Sequence, residues 1–111
     1  MNDSLDELFA TISSRRKANA DDSYVASLNR AGLNKILEKV GEEAVEVIIA
    51  AKEHNDETEP RELTKEMADL WFHLLVLLDH LGVNPGLISQ ELTSRQGTSG
   101  LEEKRLRYSK E

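Results

Sequence analysis

The chain has 111 residues, which is enough for one small domain and too few for two domains of ordinary size. It carries 21 acidic and 14 basic residues, and this net charge of −7 argues against a protein whose main role is to bind a nucleic-acid backbone. Cysteine is absent, which excludes disulfides and thiolate metal sites, and no apolar run approaches the roughly 20 residues of a membrane span, so we expect a cytoplasmic protein with no membrane partner.

Apolar residues recur with a helical period along the whole chain, beginning with two short N-terminal helices. The first helix is predicted to start at Ser4, because Ser4 and Glu7 have the spacing of a capping box ahead of apolar residues. It fades near residues 15–17. The second helix is predicted from about Ser23 and is broken at Gly32.

Two long helices follow, and a short polar turn separates them. The first is predicted over residues 33–53, and the second over residues 60–81, with Pro60 in the first helical position, which proline favours. A final helix is predicted to begin with Asn84 as its cap and Pro85 just inside it, and to end near Arg95. The sequence therefore predicts an all-α bundle built around a long antiparallel hairpin, as one domain with a core at about residues 5–95 and a polar tail at 96–111.

The apolar faces of the two long helices predict a dimer. On the first of them the apolar residues fall within one arc of about 120°, and these are Leu33, Ile36, Leu37, Val40, Ala44, Val47, Ile48 and Ala51. The second is apolar almost all the way round from Leu70 to Leu78. Such a helix must be covered on nearly every side, so we expect the bundle to be completed by homodimerisation; the alternative is that the first and last helices cover it.

Four acidic residues of the hairpin are predicted to face one another. Glu43 and Glu46 lie three residues apart on one helix, as Glu66 and Asp69 do on the next, so each pair shares a helix face. If the turn centres on Asp56, then Glu46 and Glu66 are equidistant from it, and so are Glu43 and Asp69. Residues equidistant from the turn of an antiparallel helix pair lie at the same height, which predicts a square of four carboxylates.

A metal site is one interpretation of this square, and a solvated acidic face is the other. Like-charged pairs four residues apart, such as Glu38 with Glu42 and Glu42 with Glu46, each cost a few tenths of a kcal/mol on an isolated helix. A face selected only for solubility would more naturally mix the two signs of charge. Hard oxygen ligands without cysteine favour Mg²⁺, with Mn²⁺ as the other possibility.

Two lysines precede the acidic cluster on the same helix. Lys39 lies one turn and Lys35 two turns before it, and cations beside a carboxylate-bound metal suit a polyphosphate substrate. The alternative role for Lys39 is ordinary pairing with Glu42 or Glu43. By the same count from the turn, His73 lies level with Lys39.

These residues resemble a known enzyme family. Two segments carry most of the resemblance: KVGEEAVEV at residues 39–47, and residues 66–78, which include Glu66, Asp69 and His73. Further similarity lies at residues 23–28, 32–37 and 97–104. Together they resemble the phosphoribosyl-ATP pyrophosphohydrolases, which belong to the all-α, MazG-like nucleotide pyrophosphohydrolases with a Glu-x-x-Glu and a later Glu-x-x-Asp motif. The resemblance covers about residues 5–104, and residues 105–111 depart from it.

The resemblance implies a fold, a reaction and a metal. The fold is an α-helical bundle assembled as a dimer. The reaction is the second step of histidine biosynthesis, in which phosphoribosyl-ATP is hydrolysed to phosphoribosyl-AMP and pyrophosphate with magnesium. The carboxylates that match the family motif and would bind the metal are Glu43, Glu46, Glu66 and Asp69.

Further site residues are expected around these ligands. Glu42 would be an outer ligand or the base that orients the attacking water, Lys35 and Lys39 would contact phosphate oxygens, and Arg30 is a weaker candidate for that role. Tyr24 would contact the base or ribose, or would only pack. His73 is expected to support the site from the edge of the core, Gly41 to permit close helix packing, and the tail at 97–104 to fold over the substrate or to be a mobile terminus.

Two other functions remain open from the sequence. One is a house-cleaning pyrophosphohydrolase of the same superfamily that acts on ordinary or non-standard nucleoside triphosphates. The other is a non-catalytic helical interaction module whose acidic face is merely solvated. Metal-dependent release of pyrophosphate, compared among phosphoribosyl-ATP, ATP and dCTP, discriminates among the three functions.

Overall fold

Five helices build the fold in the computed structural model, which describes residues 3–96 and 104–107. They are α1 (Asp3–Arg15), α2 (Tyr24–Ala31), α3 (Leu33–Glu53), α4 (Arg61–Leu81) and α5 (Gly86–Ser94). A further helical turn covers residues 104–107, and the described ranges contain no strand. The predicted all-α class is confirmed.

The α3–α4 hairpin has the predicted bounds to within one residue. Pro60 takes the N-cap position of α4, and its carbonyl accepts a hydrogen bond from the Thr64 backbone N–H at 2.9 Å. In the connecting turn the Asn55 side-chain oxygen accepts hydrogen bonds from the backbone N–H groups of Glu57 and Thr58. Gly82 ends α4 at φ +72°, a left-handed conformation that glycine adopts at little cost.

The helix starts that were predicted from capping residues are only partly correct. The prediction that α1 starts with a capping box at Ser4 is wrong, because the helix already includes Asp3. Ser4 is therefore a residue inside the helix. The second helix begins where it was predicted, and Ser23 is its N-cap, with a side-chain oxygen that accepts from the Ala26 N–H at 3.2 Å. Asn84 is not the cap of α5 as predicted, because Pro85 takes the N-cap position and the helix begins at Gly86. The Asn84 side-chain oxygen still accepts a hydrogen bond from the Gly86 N–H at 2.7 Å, just before the helix.

The buried core lies where α1 and α2 pack against the hairpin. Ile12 of α1 and Ile36 of α3 are almost completely buried, and the other buried hydrophobic residues are Val25, Ala26, Leu28, Leu75 and Val76. Asp79 is buried beside this core; the Ser13 hydroxyl donates to its carboxylate at 2.6 Å, and Arg16 Nη1 donates to its backbone carbonyl at 3.0 Å. These bonds hold α1 on α4.

Much of the apolar surface of the long helices remains exposed in the single chain. Of the predicted apolar face of α3 only Ile36 is buried, while Ile48 is 60% exposed. On α4 Trp71 is 49% exposed, so α1 and α5 leave part of this helix uncovered. Trp71 and Pro85 help to line an apolar groove of about 450 Å³ between α4 and α5.

None of the described helices alone is both long and apolar enough to cross a bilayer. The pair of α4 and α5, which is bent by 111°, has the necessary length and composition only when the two helices are taken together.

Candidate active site

The hairpin brings three carboxylates together. Ligand oxygens of Glu43 on α3 and of Glu66 and Asp69 on α4 all lie within 4.8 Å of one another, and the three residues are half-buried. Glu66 and Asp69 share a face because they are three residues apart on α4, and Glu43 meets them from the opposite helix, as equal distances from the turn predict.

Glu46 stands beside this cluster, with its side chain exposed to solvent. It is outside the group of three, yet it is the strongest charged neighbour of Glu66. Loss of hydration is the largest cause that raises the pKa of Glu66, followed by the negative charges of Glu46 and Asp69, while Lys65 acts against them. Three of the four carboxylates of the predicted square therefore come together, and the fourth, Glu46, is close enough to Glu66 to raise its pKa.

Lys39 is held at the edge of the cluster by two glutamates of its own helix. Its ammonium donates to Glu42 Oε2 at 3.1 Å and lies 3.9 Å from Glu43 Oε1. The hydrogen bond with Glu42 is the main cause that raises the pKa of Lys39, so the lysine is a cation at neutral pH. Both predicted features of Lys39, pairing within the helix and proximity to the acidic residues, are present together.

Lys35 is paired with a glutamate outside the cluster of three carboxylates, and Arg30 lies on a different helix. Lys35 Nζ is 3.6 Å from Glu38 Oε1, and both side chains are about half exposed. Arg30 is exposed in the last turn of α2. A contact of either residue with substrate therefore stays a prediction.

Tyr24 and His73 join α2 to α4 next to the same cluster. The Tyr24 hydroxyl lies 2.9 Å from His73 Nε2, and His73 Nδ1 lies 2.8 Å from the backbone carbonyl of Asp69. Burial is the largest cause that raises the pKa of the Tyr24 phenol, and among its charged neighbours Lys39 lowers that pKa whereas Glu43 raises it. The phenol is therefore protonated at neutral pH and close to the cationic and anionic groups of the site.

A family comparison identifies this arrangement. The sequence model of the family described as phosphoribosyl-ATP pyrophosphohydrolase matches residues 5–96. The chain belongs to this family. It is a hydrolase that acts on phosphoribosyl-ATP, releases pyrophosphate and serves histidine biosynthesis.

Membership of the phosphoribosyl-ATP pyrophosphohydrolase family confirms the resemblance inferred from the motifs at residues 39–47 and 66–78. The matched range of 5–96 contains every carboxylate and lysine described above. The family typically requires a metal, and the helical scaffold of this pyrophosphohydrolase is what brings the hard oxygen donors together.

Other expectations for this pyrophosphohydrolase have mixed outcomes. The expectation that Gly41 permits close helix packing is wrong within the described chain, because a Cβ placed there meets no atom of a neighbouring element within 4 Å. The proposed fold of the tail over the substrate falls mainly on residues 97–103, which lie outside the described residues. The Tyr24–His73 hydrogen bond was missed from the sequence, because no helical spacing relates residues 49 positions apart.

Proposed function

We propose that this pyrophosphohydrolase depends on Mg²⁺ and that Glu43, Glu66 and Asp69 bind the ion, with Glu46 as a fourth ligand. One observation supports this assignment above all others. Three carboxylates from two helices have oxygens within 4.8 Å of one another, although like charges so close repel and oppose folding unless a cation neutralises them.

The donor set fits magnesium in size and chemistry. Oxygens on opposite sides of one Mg²⁺ are about 4 Å apart, twice its bond length of 2.0–2.1 Å, so a cluster within 4.8 Å needs only small side-chain rotations to close. Carboxylate oxygens are hard ligands, which Mg²⁺ and Mn²⁺ prefer. When bound, the ion neutralises charge on the phosphates and lowers the pKa of a coordinated water.

The chain's own residues then bind and orient the nucleotide. Lys39 is already positioned by Glu42 and Glu43 and can exchange these partners for phosphate oxygens. Lys35 and Arg30 extend the cationic surface for the same polyphosphate. Glu42, which borders the cluster and has a half-exposed side chain, orients the attacking water or accepts its proton.

A homodimer completes the proposed enzyme. Ile48 on α3, Trp71 on α4 and Leu92 on α5 are all about half exposed or more. Burying apolar surface contributes about 25 cal/mol per Å², so a second copy packed on these faces would stabilise a small domain substantially. Sedimentation at micromolar protein concentration measures this assembly directly.

Pyrophosphate release is the test of the proposed function. Phosphoribosyl-ATP, ATP and dCTP are each assayed with and without Mg²⁺, using wild type, Glu43→Gln, and Glu53→Gln as a matched control at the far end of α3. We expect Mg²⁺-dependent release from phosphoribosyl-ATP, lowered more than about 100-fold in E43Q and unchanged in E53Q.

Each other result has a definite meaning. Release from ATP and dCTP only would assign a house-cleaning activity to the same carboxylates. A normal rate in E43Q, or full activity in EDTA, would refute the metal assignment. A folded wild-type protein that releases no pyrophosphate from any of the three nucleotides would favour the non-catalytic interaction module.

A further inference from the structure

The Tyr24–His73 pair has a fixed hydrogen-bond direction that follows from its partners. A backbone carbonyl only accepts, so the 2.8 Å contact between His73 Nδ1 and the Asp69 carbonyl requires the hydrogen to be on Nδ1. In the neutral imidazole Nε2 then carries a lone pair and accepts. The Tyr24 hydroxyl, 2.9 Å from Nε2, must therefore be the donor in this pair.

This direction restricts what Tyr24 can offer to a ligand. A phenol has one hydrogen to donate, and in Tyr24 it is used by His73. The lone pairs of the hydroxyl remain, so Tyr24 presents an acceptor. Phosphate oxygens at neutral pH are also acceptors and gain nothing from such a group. The partner of Tyr24 must be a donor.

The position of Tyr24 suggests which donor it meets. Its side chain is about half exposed, and its phenol is an electrostatic neighbour of Lys39 and Glu43, so it borders the region where the phosphates are proposed to lie. The donors covalently nearest to a nucleoside triphosphate chain are the hydroxyls of the ribose that carries it. The adenine amine is further along the molecule.

We propose that Tyr24 accepts a hydrogen bond from a hydroxyl of the ribose that carries the triphosphate, and that His73 is a positioning residue that keeps the Tyr24 hydroxyl in this acceptor orientation. The inference rests on the proposed function, because it uses the same placement of the phosphates. It makes Tyr24 a specificity residue for nucleotides that carry this hydroxyl over analogues that lack it. The stacking of its ring on Phe72, with centroids 6.1 Å apart, holds the side chain in place.

The substrate test compares Tyr24→Phe with wild type on three nucleotides. These are phosphoribosyl-ATP and its two analogues that lack the 2′ or the 3′ hydroxyl of the triphosphate-bearing ribose. We expect one deoxy analogue to lower kcat/KM of the wild type about three- to tenfold, the usual range for a neutral hydrogen bond. In Y24F, which retains the ring, the same analogue should react at the same rate as phosphoribosyl-ATP.

The role of His73 is tested by His73→Leu, with His80→Leu as the matched control. His80 lies on the same helix and is hydrogen-bonded to Asn29 at 2.6 Å, away from the carboxylates. H73L should reduce the discrimination between phosphoribosyl-ATP and the deoxy analogue that the wild type disfavours, and H80L should leave it unchanged. The double variant Y24F/H73L should discriminate to the same extent as Y24F alone, since His73 acts through the tyrosine.

A second readout is independent of activity. The ¹⁵N chemical shifts of the His73 ring in the unliganded protein should show a protonated Nδ1 and a bare Nε2. The opposite tautomer would overturn the inference. An active wild type together with a Y24F variant whose kcat/KM falls by the same factor on all three substrates would also overturn it. An inactive wild type would overturn the proposed function, and this inference with it.

Discussion

Replacing Asp69 by Asn separates the repulsion within the carboxylate cluster from its proposed metal affinity. The amide keeps the shape of the side chain but removes one of three charges whose oxygens lie within 4.8 Å. Two unit charges at this separation repel by about 1 kcal/mol at the dielectric constant of water, so relieving the repulsion between Asp69 and Glu43 stabilises the metal-free protein by about that amount.

This energy corresponds to a measurable change in melting temperature. Unfolding entropy is about 2.1 cal/mol/K per residue, which for 111 residues makes 1 kcal/mol equal to about 4 °C. In EDTA we therefore expect D69N to melt about 4 °C above wild type. With Mg²⁺ at 100 times its dissociation constant, the wild type gains about 2.7 kcal/mol, or roughly 12 °C, and D69N gains little. With Mg²⁺ the wild type should therefore melt at a higher temperature than D69N, the reverse of their order in EDTA.

The assay is thermal unfolding of both proteins in EDTA and over a magnesium series, at low ionic strength because salt screens the repulsion. Asp79→Asn is the control, since Asp79 is on the same helix but is bonded to Ser13 and Arg16. D79N should lose stability equally with and without Mg²⁺. A D69N protein that melts below wild type in EDTA, or that responds normally to Mg²⁺, would refute the reasoning.

Three further predictions concern single positions. Gly41→Ala should raise the free energy of unfolding by about 0.8–1 kcal/mol in denaturant titrations, because alanine favours helices and its Cβ meets open space in the chain. Asp79→Asn should lower that free energy by about 1–2 kcal/mol, because a buried carboxylate loses its charge-assisted bonds with Arg16. The raised pKa of Glu66 predicts that Mg²⁺-induced stabilisation, followed by melting temperature, declines as pH falls through that pKa, at a higher pH than for an ordinary glutamate.

The sign of the Glu66 effect reverses when the metal is absent. A carboxyl whose pKa is raised by folding binds its proton more tightly in the folded state, so its contribution to stability is complete below its ordinary pKa and is lost as pH rises through the raised one. In EDTA, Glu66→Gln should remove this pH dependence of stability.

A destabilised G41A would indicate that another copy packs against Gly41. An unchanged D79N would show that the contact with Arg16 contributes nothing to stability.

The sequence predicted the hairpin and most of the carboxylate cluster because both depend on local rules. Helical period, a proline and a glycine define α3 and α4, and equal distances from the turn place Glu43 opposite Asp69. The position of Glu46 was less predictable. Residues three apart on a helix differ in direction by about 60°, so Glu43 can point between the helices while Glu46 points to solvent.

What the sequence did not predict depends on tertiary contacts. The Tyr24–His73 bond joins α2 to α4 across 49 residues, and only the packing of α2 on the hairpin determines it. Periodicity also showed that one face of α3 should be buried, but not which surface covers it. Within the described chain Leu37 and Ile48 stay about half exposed or more, so this prediction requires a partner to be fulfilled.

The hairpin also has a kinetic consequence, because its three converging carboxylates all lie between residues 43 and 69. Contacts between segments so close in sequence form early in folding, since little loop entropy is lost. The contacts of α1 and α2 with α4 join residues 66 and 49 positions apart, so closing the hairpin brings three like charges together before these helices have docked on α4. We expect Mg²⁺ to speed folding as well as to slow unfolding, so that both arms of a chevron plot should move when the ion is added.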